Sequence, residues 1–194
     1  MSDGDLELTP EHMTYINVPQ IHWKTSLAAI PRTCKHLSVI TDLMQRLIPS
    51  IEKGEGWLLF GDYSTGKSAI AAMLLKQAAR YRCFGFWINA LDIPGYAIEK
   101  TLFEGELAYE RAVSTSILVI DELVLRENGG PLEQYMEMLV RRRLAAQRST
   151  VITSNHAPSV IQARYPALYA ALLEAVTPIK IQGHNFREAL ARRS

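Results

Sequence analysis

Cysteine is scarce in this chain of 194 residues: Cys34 and Cys83 are the only two, and no C-x-x-C pair is present. This scarcity excludes a disulfide framework and a structural zinc site built on cysteines. Apolar runs long enough to span a bilayer are also missing. The first residues are acidic and lack the basic start and apolar stretch of a secretory signal. We therefore expect a cytoplasmic protein with no membrane association.

Net charge is also close to zero, +1 from 21 Lys and Arg against 20 Asp and Glu. So small an excess produces little field to attract a polyanion, and any contact with DNA requires a local basic patch. Apolar material, by contrast, is plentiful: 48% of the residues are hydrophobic, enough for one sizeable core. We expect one domain over residues 19–194, preceded by a flexible acidic lead over residues 1–18, where no periodicity is visible.

Short apolar runs alternate with helical periodicities along the chain. The runs predict five strands, and apolar residues at three- and four-residue spacing predict helices between them. The predicted strands are 57–60, 84–88, 117–120, 150–154 and 178–181. The predicted helices are 36–52, 67–81, 92–112, one that begins at Pro131, and 160–176. Most of the strands are apolar on both faces, which is typical of a parallel sheet with helices on both sides.

A phosphate-binding loop is predicted where the first strand ends. The chain there fits G-x-x-x-x-G-K-[ST] at every fixed position, and the motif follows a strand and opens a helix. Its glycines let successive backbone N–H groups point at a phosphate, and the helix adds its positive end. We expect Lys67 to reach the β- and γ-phosphates of ATP and the Ser68 hydroxyl to bind Mg²⁺. The loop consists of Gly61, Asp62, Tyr63, Ser64, Thr65, Gly66, Lys67 and Ser68.

Two carboxylates follow the third predicted strand. Asp121 and Glu122 come directly after Ile117–Ile120, and the carboxyl end of a parallel strand lies at the edge where ligands bind. We expect Asp121 to hold Mg²⁺ through its water shell. We expect Glu122 to polarise the water that attacks the γ-phosphate.

The fourth predicted strand is followed by Asn155. Its amide has the groups needed to hydrogen-bond both the attacking water and an oxygen of the γ-phosphate. An asparagine at this place is also typical of a turn or of the cap of the next helix. The sequence leaves both interpretations open.

These motifs together resemble a known family. GDYSTGKS, ILVIDEL, STVITSN and IQGHNFRE stand in the order and at the spacings of the AAA+ ATPases that load bacterial replicative helicases, and of their relatives that assist insertion-sequence transposases (the DnaC/IstB-like group). The resemblance covers about Val18 to Arg187. It implies an AAA+ domain with little or no separate lid, ATP and Mg²⁺ as cofactors, and a nucleotide-dependent homo-oligomer. It also implies DNA, single- or double-stranded, and a replicative helicase or a transposase as partners.

Two roles come from this resemblance alone. It implies that Asn155 is the sensor 1 residue and that Arg187 is the sensor 2 arginine that contacts the γ-phosphate. For Arg187 the alternative is an ordinary arginine on the surface of a helix.

The chain departs from the family pattern in two places. Family members place an arginine shortly before the last strand, where it reaches the ATP site of the neighbouring subunit, but the matching stretch Ala167–Leu173 has none. Such a finger commonly contributes about 10³–10⁵ in turnover, so we expect slow hydrolysis or a finger of another kind. Family members also usually carry a separate partner-binding domain ahead of the core, and we expect the 18 residues of the lead to be too few to fold into one. The candidate substitutes for the missing finger are Arg164, the nearest, and Arg141, Arg142, Arg143 and Arg148.

Two groups of basic residues are candidates for contact with DNA. Three consecutive arginines on one helix cannot all face one way, so a solvated helix face or a subunit contact is the alternative for the first group. Lys100 and Arg111 form the second group, on the helical insert where the family contacts single-stranded DNA; here the alternative is ordinary surface residues. The first and denser group consists of Arg141, Arg142 and Arg143, with Arg148 close by.

The sequence thus predicts an ATPase that acts on DNA with a partner, as a helicase loader or a transposition helper. Two other classes stay open. A nucleotide-gated scaffold or inhibitor that hydrolyses little ATP is consistent with the absence of the finger arginine from Ala167–Leu173. A P-loop small-molecule kinase would need an arginine-rich lid and an acceptor pocket, and the sequence shows neither.

Overall fold

The computed structural model describes residues 6–30, 32, 34–99, 107–125 and 130–182. These residues form an α/β fold with a five-stranded parallel sheet, as predicted. The strands are β1 (Gly56–Phe60), β2 (Gly85–Asn89), β3 (Ile117–Leu123), β4 (Ser149–Ser154) and β5 (Val176–Lys180). The α-helices are α1 (Pro10–Tyr15), α2 (Leu37–Lys53), α3 (Lys67–Arg80), α4 (Ile93–Glu99), α5 (Ala108–Ser114), α6 (Pro131–Ala145), α7 (Pro158–Arg164) and α8 (Pro166–Ala175). Within this described part of the chain, none of the helices combines the length and the apolar character needed to cross a membrane.

The order of the strands across the sheet is β2-β3-β4-β1-β5. All four pairings are parallel, so each connection has to cross over the sheet rather than turn back as a hairpin. In this order β3, β4 and β1 are neighbours. Their carboxyl ends, each followed by one of the predicted nucleotide motifs, therefore lie side by side in the middle of one sheet edge.

Apolar layers cover both faces of the sheet. Leu43 of α2 and Leu74 of α3 pack on one face with Val119 of β3. Met136 of α6 packs on the opposite face with Ile120, the next residue of the same strand. Successive strand residues point to opposite faces, which explains why β3 is apolar throughout Ile117–Ile120. The prediction of helices on both sides of the sheet is confirmed.

Two of the predicted helices are each divided in two. The helix expected over residues 160–176 is interrupted at Tyr165, whose φ of −131° and ψ of 69° are not helical. Pro166 follows, and the residue before a proline is disfavoured in the helical conformation. The proline itself begins α8, because the first position of a helix needs no N–H donor. The helix expected over residues 92–112 corresponds to α4 and α5. Leu107, directly before α5, has a ψ of 128° and is not helical, and residues 100–106 lie outside the described part.

The expectation of a flexible lead over residues 1–18 is wrong for residues 6–18. Pro10–Tyr15 form α1, and the Thr9 side chain caps it by accepting a hydrogen bond from a backbone N–H of its first turn. A helix of six residues is too short to produce a visible apolar period in the sequence. The apolar side chains that this segment buries in the domain are Met13, Ile16 and Val18.

The segment after α1 is attached to the edge of the sheet and to α3. The Ile16 carbonyl accepts a hydrogen bond from the Trp87 N–H of β2 at 3.0 Å, and Asn17 Nδ2 donates to the Trp87 carbonyl at 2.8 Å. Because β2 is an edge strand, these bonds cover part of the open sheet edge.

Lys76 on α3 attaches the next part of the segment. Burial lowers the pKa of Lys76 to about 8. The Lys76 ammonium donates to three backbone carbonyls, those of His22, Trp23 and Thr25.

Candidate functional site

The segment between β1 and α3 has the backbone of a tight loop. Gly61 and Gly66 have φ angles of 146° and 91°, in the left-handed region that favours glycine. A Cβ atom at Gly61 would lie 2.1 Å from the carbonyl oxygen of Ile181, directly after β5. The glycine at this position therefore allows the loop to approach the end of the neighbouring strand.

Lys67 opens α3 and lies within the loop. Its Nζ donates to the carbonyls of Gly61 at 2.9 Å and Asp62 at 2.6 Å. Burial lowers the pKa of Lys67, and the charges of Asp62, Asp121 and Glu122 act in the opposite direction. The structure thus brings the loop lysine and the two carboxylates of β3, far apart in the sequence, to one place at the sheet edge.

Ser68 and Asp121 form a pair of oxygen ligands next to the loop. The Ser68 side chain hydrogen-bonds to the Asp121 carboxylate, which is only 8% exposed. Burial raises the pKa of Asp121, and hydrogen bonds from Thr153 and Ser68 act against that rise. Hydroxyl and carboxylate oxygens suit Mg²⁺, which keeps waters and phosphate oxygens as its remaining ligands. The pair therefore fits a metal that arrives with a nucleotide, and the described residues contain no cluster of three His, Cys, Asp or Glu that would hold a metal alone.

Thr153 of β4 connects the two carboxylate residues, and the sequence analysis missed it. Its hydroxyl donates to Oδ1 of Asp121 at 2.5 Å and accepts a hydrogen bond from the Glu122 N–H at 2.9 Å. The side chain is buried. The available signal was a threonine two residues before Asn155, at the polar end of an otherwise apolar strand.

Glu122 lies in a bulge at the end of β3. Its φ angle of 59° is left-handed, and the register of pairing with β4 shifts between Ile120 and Leu123. A bulge re-aims the side chain it carries, and a non-glycine residue in this conformation is strained. The Glu122 carboxylate is exposed and accepts a hydrogen bond from Asn89 Nδ2 at 3.2 Å. Asn89, which pairs with Asp121 in the β2–β3 register, is the second residue that the sequence analysis missed.

Asn155 lies beside the loop, directly after β4. The Gly61 N–H donates to the Ser154 carbonyl at 3.3 Å, which places the end of β4 against the start of the loop. The N-cap of α7 is Ala157, and in the described chain no side chain caps this helix. The interpretation of Asn155 as a helix cap is therefore excluded. Arg187, predicted to act at the same site, lies outside the described residues.

The three consecutive arginines of α6 point in different directions. Arg141 forms an ion pair with Glu137 at 2.8 Å, and Arg142 forms one with Glu110 of α5 at 2.9 Å. Arg143 is fully buried. The prediction of direct DNA contact is wrong for Arg143, because a buried guanidinium cannot reach a phosphate. For Arg141 and Arg142 it remains a prediction.

Arg111 on α5 is not a free surface cation. It is 7% exposed, and its guanidinium lies 4.0 Å from the ring centroid of Tyr15 and 4.7 Å from that of Phe86. Its Nη2 also donates to the Tyr15 carbonyl at 2.6 Å. Arg111 thus holds α1 against the sheet and is not the ordinary surface residue that the sequence left as the alternative. Its contact with DNA remains a prediction. Lys100, predicted with it, lies outside the described residues.

Neither a protein-family model nor a curated protein matches the sequence. Several solved structures do match. The DnaC helicase loader is 17% identical, with a TM-score of 0.70 over 84% of this chain and 100% of that one. DnaI is 15% identical, with a TM-score of 0.71 over 86% of this chain and 93% of that one. The replication initiator DnaA, bound to AMPPCP and single-stranded DNA, is 14% identical, with a TM-score of 0.66 over 87% of this chain and 55% of that one.

The chain has an α/β fold with a five-stranded parallel sheet, of the class that these solved structures share. Within that class the chain is similar in fold to the helicase loaders DnaC and DnaI, as the resemblance of its motifs predicted. At these identities the similarity concerns the fold.

Proposed function

We propose that this protein binds and hydrolyses ATP with Mg²⁺ and acts on DNA with a partner, as a helicase loader or a transposition helper. The observation that carries the proposal is the convergence of four side chains at one sheet edge: Lys67, Ser68, Asp121 and Glu122. The binding of AMPPCP and single-stranded DNA by DnaA, which has a similar fold, supports the nucleotide and the DNA.

Each side chain has one role in this proposal. Lys67 neutralises charge on the β- and γ-phosphates, and the Ser68 hydroxyl and the Asp121 carboxylate hold Mg²⁺. Glu122, exposed at the end of β3, orients and polarises the attacking water. Asn155 follows β4 at the same edge, and in this proposal its amide binds the γ-phosphate or that water. ATP with Mg²⁺ supplies the phosphoanhydride bond that is broken, and the protein supplies position and charge.

A nucleotide-gated scaffold is the second candidate, and one observation favours it. Helix α8, Pro166–Ala175, contains no arginine. Arg164, at the exposed end of α7, is the arginine nearest to α8 in the sequence. Without an arginine from a neighbouring subunit, we expect hydrolysis by the free protein to be slow.

ATP turnover tests the proposal, measured with and without single- and double-stranded DNA while the mass of the assembly is followed in parallel. A DNA-acting ATPase shows turnover and an assembly that depends on ATP. Nucleotide-dependent assembly without turnover identifies the scaffold. ADP release that requires a small-molecule acceptor and not DNA identifies a kinase.

Two further measurements address the partners. Anisotropy of labelled DNA with ATP, ADP or no nucleotide tests whether assembly controls affinity, since aligned weak contacts multiply in an oligomer. Equal affinity in all three states contradicts nucleotide-gated assembly. Capture of a replicative helicase or of a transposase separates the loader from the transposition helper.

A further inference from the structure

A cleft of about 260 Å³ opens at the amino edge of the sheet, the edge opposite the candidate nucleotide site. It lies where the chain enters β2, β3 and β4. None of the described residues that line it is acidic. The side chains that matter for its chemistry are Tyr15, Phe84, Arg111, Ser114, Ser116 and Arg148.

Positive charge at this cleft is not neutralised by any carboxylate among the described residues. Among the described residues, neither Arg111 nor Arg148 forms an ion pair. The carboxylate next to Arg111 in the sequence, Glu110, accepts both of its hydrogen bonds from Arg142. Within the part of the chain that the structure describes, an anion that enters the cleft therefore meets cations without displacing a carboxylate.

Arg143 adds a third positive charge beneath the cleft. Burial lowers its pKa to about 9, and the neighbouring charge of Arg148 acts in the same direction. Its hydrogen-bond partners are all neutral: the carbonyls of Ala112, Val113, Thr115 and Ser149 and the hydroxyl of Thr150. Since several of these carbonyls belong to the segments that lead into β3 and β4, Arg143 also holds the floor of the cleft in place.

Aromatic side chains border the same cations. Phe84 is 71% exposed and Tyr15 is 50% exposed, although large rings are commonly buried. The Arg111 guanidinium covers one face of Tyr15, and Phe84 precedes β2 with its ring in solvent. Exposed rings beside arginines are the combination that binds single-stranded nucleic acid, because phosphates pair with the cations and unpaired bases stack on the rings.

We propose that this cleft binds single-stranded DNA, with a phosphate on the exposed side chain of Arg148 and a base on Phe84. Arg111, in the wall of the cleft, adds positive charge behind this contact. The proposal rests on the association with DNA proposed above and names the surface that makes the contact. A duplex is a poorer ligand, because its bases are already stacked on each other. The cleft lies at the far edge from Lys67 and Glu122, so binding does not require hydrolysis at the nucleotide site.

The test is the anisotropy of a fluorescein-labelled oligo-dT strand titrated with the full chain at low salt. We expect Phe84→Ala to weaken binding about 10-fold, the order of one lost base–aromatic stack. We expect Arg148→Glu to weaken it by at least about 10-fold and to make its salt dependence shallower, because one phosphate contact is lost. Both side chains are exposed, so neither change should affect folding, which thermal unfolding checks.

Two variants serve as matched controls. Arg46→Glu makes the same change of charge on the exposed surface of α2. Leu173→Ala removes an exposed apolar side chain from α8. Both are expected to bind oligo-dT within about twofold of the wild type, below the effects expected at the cleft. Lys67→Ala is expected to keep oligo-dT binding without nucleotide, which separates failure at the nucleotide site from failure at the cleft.

Three results would overturn the proposal. The first is no binding of oligo-dT by the wild type. The second is binding that neither Phe84→Ala nor Arg148→Glu reduces more than Arg46→Glu does. The third is equal affinity for oligo-dT and for a duplex of the same length, with no effect of Phe84→Ala, which would indicate electrostatic attraction without base stacking.

Discussion

The Thr153 hydroxyl donates a hydrogen bond to Oδ1 of Asp121 at 2.5 Å, across the pair formed by β3 and β4. The same hydroxyl accepts the N–H of Glu122 at 2.9 Å. One residue of β4 thus holds the side chain of the first carboxylate and the backbone of the second. Glu122 has a φ of 59°, which non-glycine residues rarely adopt. The hydrogen bond from its N–H to Thr153 therefore stabilises the bulge that orients both carboxylates.

Thr153→Val is expected to weaken both the fold and the catalysis. Valine fills the same volume without the hydroxyl, so the N–H of Glu122 and the buried Asp121 carboxylate each lose a partner. The free energy of unfolding should fall by about 1–3 kcal/mol. Turnover should fall by at least about 10-fold, because the second carboxylate loses its fixed position. Urea unfolding and ATPase rates measure the two effects.

Thr153→Ser is the matched control, since it keeps the hydroxyl and removes only a methyl group. It should retain most of the turnover that Thr153→Val loses. If Thr153→Val has the stability and the turnover of the wild type, Thr153 does not position these carboxylates.

Asp121→Asn is expected to raise stability at neutral pH while it abolishes Mg²⁺-dependent turnover. Burial raises the pKa of Asp121, so the folded state carries a penalty for the charged carboxyl that the unfolded chain does not. This penalty is fully present above the raised pKa of the folded state and disappears as the pH falls below the ordinary carboxyl value. The stability advantage of the variant should therefore shrink in acid.

The measurement is the free energy of unfolding of both proteins at pH 7 and at about pH 4. Asp92→Asn, which changes an exposed aspartate, controls for the loss of one surface charge. A variant that is less stable than the wild type at pH 7 would show that the hydrogen bonds from Thr153 and Ser68 outweigh the cost of burial.

Lys67→Ala is expected to weaken ATP binding by about 100-fold, because it removes the one ammonium group directed at the phosphates and its charge-assisted hydrogen bonds. Titration calorimetry with ATP and Mg²⁺ measures this change. Lys53→Ala at the exposed end of α2 should bind ATP as the wild type does. Unchanged affinity in Lys67→Ala would contradict the assignment of the phosphate loop.

Glu122→Gln is expected to bind ATP within about twofold of the wild type and to lower turnover by at least about 100-fold, since an amide cannot polarise water as a carboxylate does. Single-turnover hydrolysis and nucleotide titration separate the two quantities. Glu174→Gln on the exposed side of α8 is the control. Turnover at the wild-type rate would show that another residue activates the water.

The sequence predicted the α/β class of the fold and the approximate position of each of the five strands. It could do so because each strand is a contiguous apolar run that is recognisable without distant residues. It predicted the end of β3 poorly. The strand continues past Ile120 to Leu123 through the bulge at Asp121 and Glu122, and two consecutive carboxylates do not resemble a strand. It also missed α1, whose six residues are too few to show a period.

In the candidate site, the sequence located the residues that belong to contiguous motifs and missed those that do not. Gly61–Ser68 and Asp121–Glu122 are recognisable because the local backbone chemistry of a phosphate loop and of a strand end requires those residue types in that order. Thr153 and Asn89 are single polar residues whose relation to the carboxylates depends on strand order. That order, β2-β3-β4-β1-β5, places Asn89 and Thr153 on the two sides of β3.

The sequence by itself determined the phosphate loop, the carboxylate pair and the parallel sheet that carries them, since each depends on neighbours within a few positions. Only the tertiary structure decided the roles of the arginines. The sequence shows the same residue type at three consecutive positions, Arg141, Arg142 and Arg143. In the structure Arg141 and Arg142 form exposed ion pairs, whereas Arg143 is buried among backbone carbonyls. Burial and charge compensation depend on segments that are distant in the chain, and no local pattern encodes them.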